Sequence, residues 1–125
     1  MSFRAVFFGS PAFAVPSLEA LDAIADVVGV VCQPDKPAGR GLALTAPAVK
    51  ARATLMGLPV VQPIKLRTGD FGAWLRAQAA DVAIVVAYGR ILPADVLSAP
   101  RLGCVNVHAS LLPKYRGASP IHAAV

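Results

Sequence analysis

Asp81-Val82-Ala83-Ile84-Val85-Val86-Ala87-Tyr88 is the most hydrophobic stretch of the chain, with its one charge at the start. A parallel strand covered on both faces reads as a continuous apolar run of this kind, without the alternation of a half-exposed strand. Working outward, Asp70 to Ala80 places Phe71, Trp74, Leu75 and Gln78 at helical spacing, and Gly103 to His108 reads as a further strand. Arg4 to Phe8 is a β-branched and aromatic run closed by Gly9. Asp26 to Cys32 is almost entirely valine, and Pro59 to Gln62 is a brief strand. Pro16 suits the first turn of a helix reaching about Ile24; Pro47 opens another, which Gly57 stops. Gln33 to Ala46, with Pro34, Pro37, Gly39 and Gly41, reads as a long loop. Strands alternating with helices predict βαβ units, hence an α/β fold with a doubly wound, mostly parallel sheet of about five strands.

The end of the last apolar run is unusual. In Asn106-Val107-His108-Ala109-Ser110-Leu111-Leu112-Pro113, the alternation of a strand puts Asn106, His108 and Ser110 on one face. Open α/β sheets place ligands beyond the carboxyl ends of their strands. An amide donor beside an imidazole there can polarise a carbonyl and manage a proton. The alternative is buried polar residues satisfied by backbone.

Composition narrows the class. With 125 residues, 56% of them hydrophobic, the chain is one domain or less and is not disordered. No apolar run reaches the roughly 18 residues of a spanning helix, and the start carries no signal-peptide pattern. Cys32 and Cys104 sit in strand-like runs without metal-ligand or disulfide spacing, which suggests reduced, buried thiols and a cytoplasmic location. Net charge is +5, unevenly spread: residues 1 to 35 carry −3 and residues 36 to 125 carry +8. A lopsided basic field attracts polyanions, nucleic acid first among them. Ser119 to Val125 resembles an N-cap, a first-turn proline and barely two turns of helix, so the chain is read as ending inside an element, a domain cut short.

Four segments, in order, resemble those of the methionyl-tRNA formyltransferase family. They are Phe8-Gly9-Ser10-Pro11-Ala12-Phe13-Ala14, Gln33-Pro34-Asp35-Lys36-Pro37-Ala38-Gly39-Arg40-Gly41, Ala87-Tyr88-Gly89-Arg90-Ile91-Leu92-Pro93, and Asn106 to Pro113 continuing into Arg116-Gly117-Ala118-Ser119-Pro120-Ile121. Ser10 stands where the family usually has threonine. The resemblance implies a Rossmann-like amino-terminal domain that transfers a formyl group from 10-formyltetrahydrofolate to the amino group of methionyl initiator tRNA, without a metal. It implies Asn106 and His108 as catalytic residues, the amide for the oxyanion and the imidazole for the proton. It also implies a folate pocket walled by Ser110, Leu111, Leu112 and Pro113, with Tyr88, Gly89, Ile91 and Leu92 opposite and Phe13 nearby. Core packing is the plainer reading of Leu111 and Leu112, and a strand-end aromatic that of Tyr88.

Lys36 and Arg40 lie in the long loop, where Gly39 and Gly41 would let the guanidinium approach a phosphate. The resemblance makes this a tRNA-binding loop, with Arg116 and Lys114 extending the basic surface. His122 reads as structural or exposed. The implied partners are initiator methionyl-tRNA and folate, with neither membrane nor DNA expected. In the resemblance the catalytic aspartate and a C-terminal tRNA-binding domain fall beyond Val125, so residues 1–125 are a partial formyltransferase domain expected to be inactive alone. Two other readings compete: a folate-dependent formyltransferase acting on a small amine, and a non-catalytic folate- or RNA-binding fragment.

Overall fold

A computed structural model describes residues 3–38, 43–107 and 121–124, the side chains of Ala38 and of residues 121–124 excepted. β1 (Arg4–Gly9) leads through a 3-10 turn (Ala12–Ala14) into α1 (Val15–Ile24) and β2 (Asp26–Val31). A ribbon of β3 (Lys36–Ala38) and β4 (Ala43–Thr45) precedes α2 (Ala48–Leu55) and β5 (Val60–Val61). Then come α3 (Asp70–Ala77), β6 (Val82–Val86), α4 (Ala94–Leu97), β7 (Cys104–Val107) and β8 (Ile121–Ala124).

The main sheet runs β5-β2-β1-β6-β7-β8. Its first five strands are parallel, and β8 is antiparallel to β7. Successive side chains of a strand point to opposite faces, so Phe7 and Phe8 of β1 serve two separate cores. Phe7 packs with Val30, Val86 and Leu18, Val49 and Ala53 of α1 and α2. Phe8 packs with Val6, Val85 and Phe71, Leu75 and Val96 of α3 and α4. Helices on both faces explain why β6 is apolar throughout. The chain builds outward from β1 to β2 and β5, then returns to place β6 on the other side of β1. That reversal opens a crevice beyond the carboxyl ends of β1 and β6.

Local signals explain most helix limits. α2 ends where Gly57 turns left-handed at φ +76°, with Leu58 N–H donating to Ala53 O at 2.9 Å. α3 ends at Ala77, before the expected Ala80, because Ala79 adopts φ +52° and turns the chain so that Asp81 N–H reaches Arg4 O at 2.8 Å. The expected loop from Gln33 to Ala46 contains the antiparallel pairing Lys36↔Thr45 and Ala38↔Ala43. A two-stranded ribbon leaves one side of each strand unpaired, which accommodates Pro37. The expected helix after Ser119 is instead β8 over Ile121–Ala124, paired Asn106↔His122 and Val107↔Ile121. The β7 edge supplies a row of backbone partners for this segment, which a strand can satisfy and a helix would leave open.

Candidate functional site

Sterics build the crevice. A Cβ on Gly9 would lie 2.8 Å from Val86 O, 2.8 Å from a Phe7 ring carbon and 3.3 Å from Ala14 Cβ, so only glycine lets β1 close on β6 there. Beyond Gly9, Ser10 Oγ accepts from Gln33 N at 3.1 Å, and Ser10 O accepts from Val49 N at 3.1 Å. Beyond Val86, Ala87 adopts φ +53° and Gly89 φ +88°. A non-glycine residue in this region is strained, and such strain concentrates where the backbone is held for a ligand.

Asn106 is half-buried at the carboxyl end of β7, opposite Val85 of β6 and on the same face as Cys104. It lines a cleft of about 280 Å³ with Val85, Arg90, Ile91, Leu92, Leu97 and Cys104. Leu92 is partly buried against the core, while Ile91 is 82% exposed. A second cleft of about 650 Å³ shares Arg90 and Ile91 and continues along Gly89 and Lys65 to Thr68. Arg90 joins the two walls by donating to Pro63 O and Ile64 O, both at 2.6 Å. The exposed Lys65 and Arg67 stand along this second groove.

The other sequence-expected residues divide. Tyr88 is only 2% exposed, edge-on to Phe8 at 5.3 Å, and Arg90 lies over its ring at 5.9 Å. Its side chain therefore belongs to the core, and burial raises its pKa despite the nearby Arg90. Phe13 is half-exposed on the 3-10 turn and lines neither cleft. Lys36 is exposed in β3. His108, Ser110, Leu111, Leu112, Pro113, Arg40, Lys114 and Arg116 lie outside the described residues, so the Asn106–His108 pairing does too.

Several contributors escaped sequence reasoning. Leu97 comes from α4, a one-turn helix with no periodicity to read, and Lys65 and Arg67 precede α3 in a segment without a motif. A third cleft, about 340 Å³, runs between Ser10–Ala12, Gln33, Pro34, Lys36 and Thr45–Ala48. Between the lining residues Pro34 and Lys36, Asp35 accepts from Gln62 Nε2 at 2.6 Å and from Lys50 Nζ at 3.2 Å. These bonds, the Gln62 one foremost, hold the Asp35 carboxyl below its ordinary pKa. Both cysteines are buried and unpaired; burial pushes Cys32 to about 12 and Cys104 to about 11, so neither thiol is a nucleophile. Among the described residues no three His, Cys, Asp or Glu side chains gather to hold a metal, and no helix is long and apolar enough to cross a membrane.

A crevice at the strand reversal, an amide on its wall and a basic groove leading away suit an anionic carbonyl-bearing ligand. Residues 4–125 match the model of a family described as formyl transferase. The chain belongs to the formyl transferase family. Within this family it is 67% identical over 122 residues to the methionyl-tRNA formyltransferase of Sorangium cellulosum and 61% identical over 123 residues to that of Deinococcus radiodurans. Both matches cover 98% of this chain and 39% of the relative, so the chain spans about two fifths of the length of these curated relatives. A solved glycinamide ribonucleotide transformylase 1 from Geobacillus kaustophilus superimposes with a TM-score of 0.62 at 25% identity, covering 94% of this chain and 63% of that one. The resemblance read from four motifs thus holds along the formyl transferase match.

Proposed function

We propose that the chain is the donor-binding and catalytic part of an enzyme that transfers the formyl group of 10-formyltetrahydrofolate to the α-amino group of methionyl initiator tRNA. In this reading residues 1–125 are the amino-terminal part of the transferase domain, and the enzyme works in the cytoplasm, where buried unpaired thiols such as Cys32 and Cys104 stay reduced. One observation carries the reading: Asn106 lines the cleft beside Arg90–Leu92 in a chain 67% identical to a methionyl-tRNA formyltransferase.

The chemistry follows from the groups. The methionyl amine attacks the formyl carbon, the C=O oxygen becomes an oxyanion, and the bond from carbon to the folate N10 breaks. Asn106 donates its side-chain N–H to the oxyanion. His108, two residues further on in the sequence, carries the proton from the attacking amine to the departing N10. Leu92 and Leu97 supply an apolar wall for the flat folate ring, which Ser110, Leu111, Leu112 and Pro113 complete in this reading. The donor's glutamyl carboxylates run toward Lys65 and Arg67, along the groove that leaves the cleft at Arg90. Lys36, Arg40 and Arg116 meet tRNA phosphates, in keeping with the +8 of residues 36 to 125.

The test is Asn106→Ala in the full-length protein that contains this segment. Turnover of formyl transfer to methionyl-tRNA should fall roughly a hundredfold or more, as for a lost oxyanion donor, with little change in melting temperature. A sharp loss of stability with unchanged turnover per folded molecule would make Asn106 a core residue. Equal turnover on a small amine and on methionyl-tRNA would replace the proposed acceptor with the small-amine one.

A further inference from the structure

None of the described side chains of the β3–β4 ribbon is buried. Lys36, Pro37, Ala43, Leu44 and Thr45 are all exposed, Leu44 at 69%. An isolated two-stranded ribbon is marginal in water, so its direction must be set where it joins the body. Both joints converge on one carboxylate. Asp35 immediately precedes β3, and Lys50 lies in the first turn of α2, five residues after β4 ends. Lys50 Nζ approaches both Asp35 oxygens, at 3.2 and 3.3 Å, and so closes the base of the ribbon.

The same carboxylate is tied to the crevice. Gln62, just beyond β5, donates to Asp35 Oδ1 at 2.6 Å and to Gln33 O at 3.1 Å. Gln33 N in turn donates to Ser10 Oγ, at the exit of β1. The Gln33 side-chain nitrogen reaches within 3.0 Å of where a Cβ on Gly89 would stand, at the exit of β6. Asp35 and Lys50 keep 29% and 31% of their side-chain surface exposed, so the pair is only half-shielded. Three hydrogen bonds to one carboxylate nevertheless give it a fixed geometry that an isolated surface pair lacks.

We propose that Asp35, with Lys50 and Gln62, is a positioning centre that aims the β3–β4 ribbon at the acceptor substrate, setting the enzyme's use of methionyl-tRNA without touching the formyl donor. The inference rests on the acceptor proposed above. Asp35 acts through the ribbon: Lys36 starts β3 directly after it, and the cleft between Ser10–Ala12 and Thr45–Ala48 has the ribbon base as one wall. Among the described residues, neither the cleft around Asn106 nor the groove along Lys65 and Arg67 shares a lining residue with this one.

Asp35→Asn and Lys50→Met, singly and together, test this in the full-length protein. Each single change should raise the KM for methionyl-tRNA roughly tenfold, leave the KM for 10-formyltetrahydrofolate within about twofold, and the double change should be no worse than either alone. Backbone hydrogen exchange should quicken over residues 36–45 and stay unchanged in β1 and β6. A rise in both KM values together, additive single effects, or unchanged exchange in the ribbon would overturn the proposal. An unmutated protein that fails to formylate methionyl-tRNA would refute the acceptor reading instead, and the exchange comparison would still decide whether Asp35 holds the ribbon.

Discussion

Gly9→Ala tests whether the β1–β6 crevice is closed by contact. The added methyl would sit 2.8 Å from Val86 O and 2.8 Å from a Phe7 ring carbon, the latter well inside the about 3.5–4.0 Å that carbon atoms prefer. Neither neighbour can retreat freely. Val86 is locked in register with Gly9, and Phe7 is fully buried against α1 and α2. Overpacking of this kind costs about 1–3 kcal/mol. Gly9 is not among the positive-φ residues, so alanine also restricts the unfolded chain and returns about 0.4–1 kcal/mol. The net expectation is a loss of about 1–2 kcal/mol, read by urea unfolding as a lower midpoint at unchanged slope. Gly57 is the internal control, since its φ is +76° and a Cβ there meets nothing within 4 Å. Asparagine tolerates the left-handed region, so Gly57→Asn should be milder than Gly57→Ala, while Gly9→Asn should be worse than Gly9→Ala. An unchanged or higher midpoint for Gly9→Ala would refute the close-contact argument.

Three further outcomes follow from charge and burial. If the proposed donor binds as argued, neutralising Lys65 and Arg67 to glutamine should raise the KM for it, more so for a donor with several glutamyl carboxylates, and should flatten its salt dependence; equal effects on short and long donors would refute donor binding along that groove. Cys32 and Cys104, pushed to about 12 and about 11, should resist iodoacetamide at pH 8 until the protein unfolds, and rapid native labelling would contradict their burial. Asp81 accepts from Arg4 N at 2.8 Å and from Arg101, which lowers its pKa from 3.8. A depressed carboxylate stabilises the fold fully above its unfolded pKa and loses that contribution as pH falls through the folded value. The stability gap between the natural protein and Asp81→Asn should therefore be widest near neutral pH and close below pH 3.8; a gap that widens on acidification would show the sign is wrong.

The apolar runs of Arg4–Phe8, Asp26–Cys32 and Asp81–Tyr88 already specified strands buried on both faces, and Pro16, Pro47 and Gly57 already punctuated α1 and α2. These signals are local: hydrophobic periodicity records how much of an element is covered, and proline and glycine act on their own φ. The Asn106 position was legible for the same reason, as a polar side chain interrupting an apolar strand. What periodicity does not record is the identity of the neighbour. Backbone hydrogen bonds are alike in every strand, so the placement of β6 beside β1, which opens the crevice, comes from long-range packing of two cores around Phe7 and Phe8. Tertiary contacts also took Tyr88 into the core, recruited Leu97 to the cleft and sent Arg90 to the carbonyls of Pro63 and Ile64. The β3–β4 ribbon and β8 belong with them. Their few residues carry no period of their own and become strands only because a partner edge satisfies their backbone.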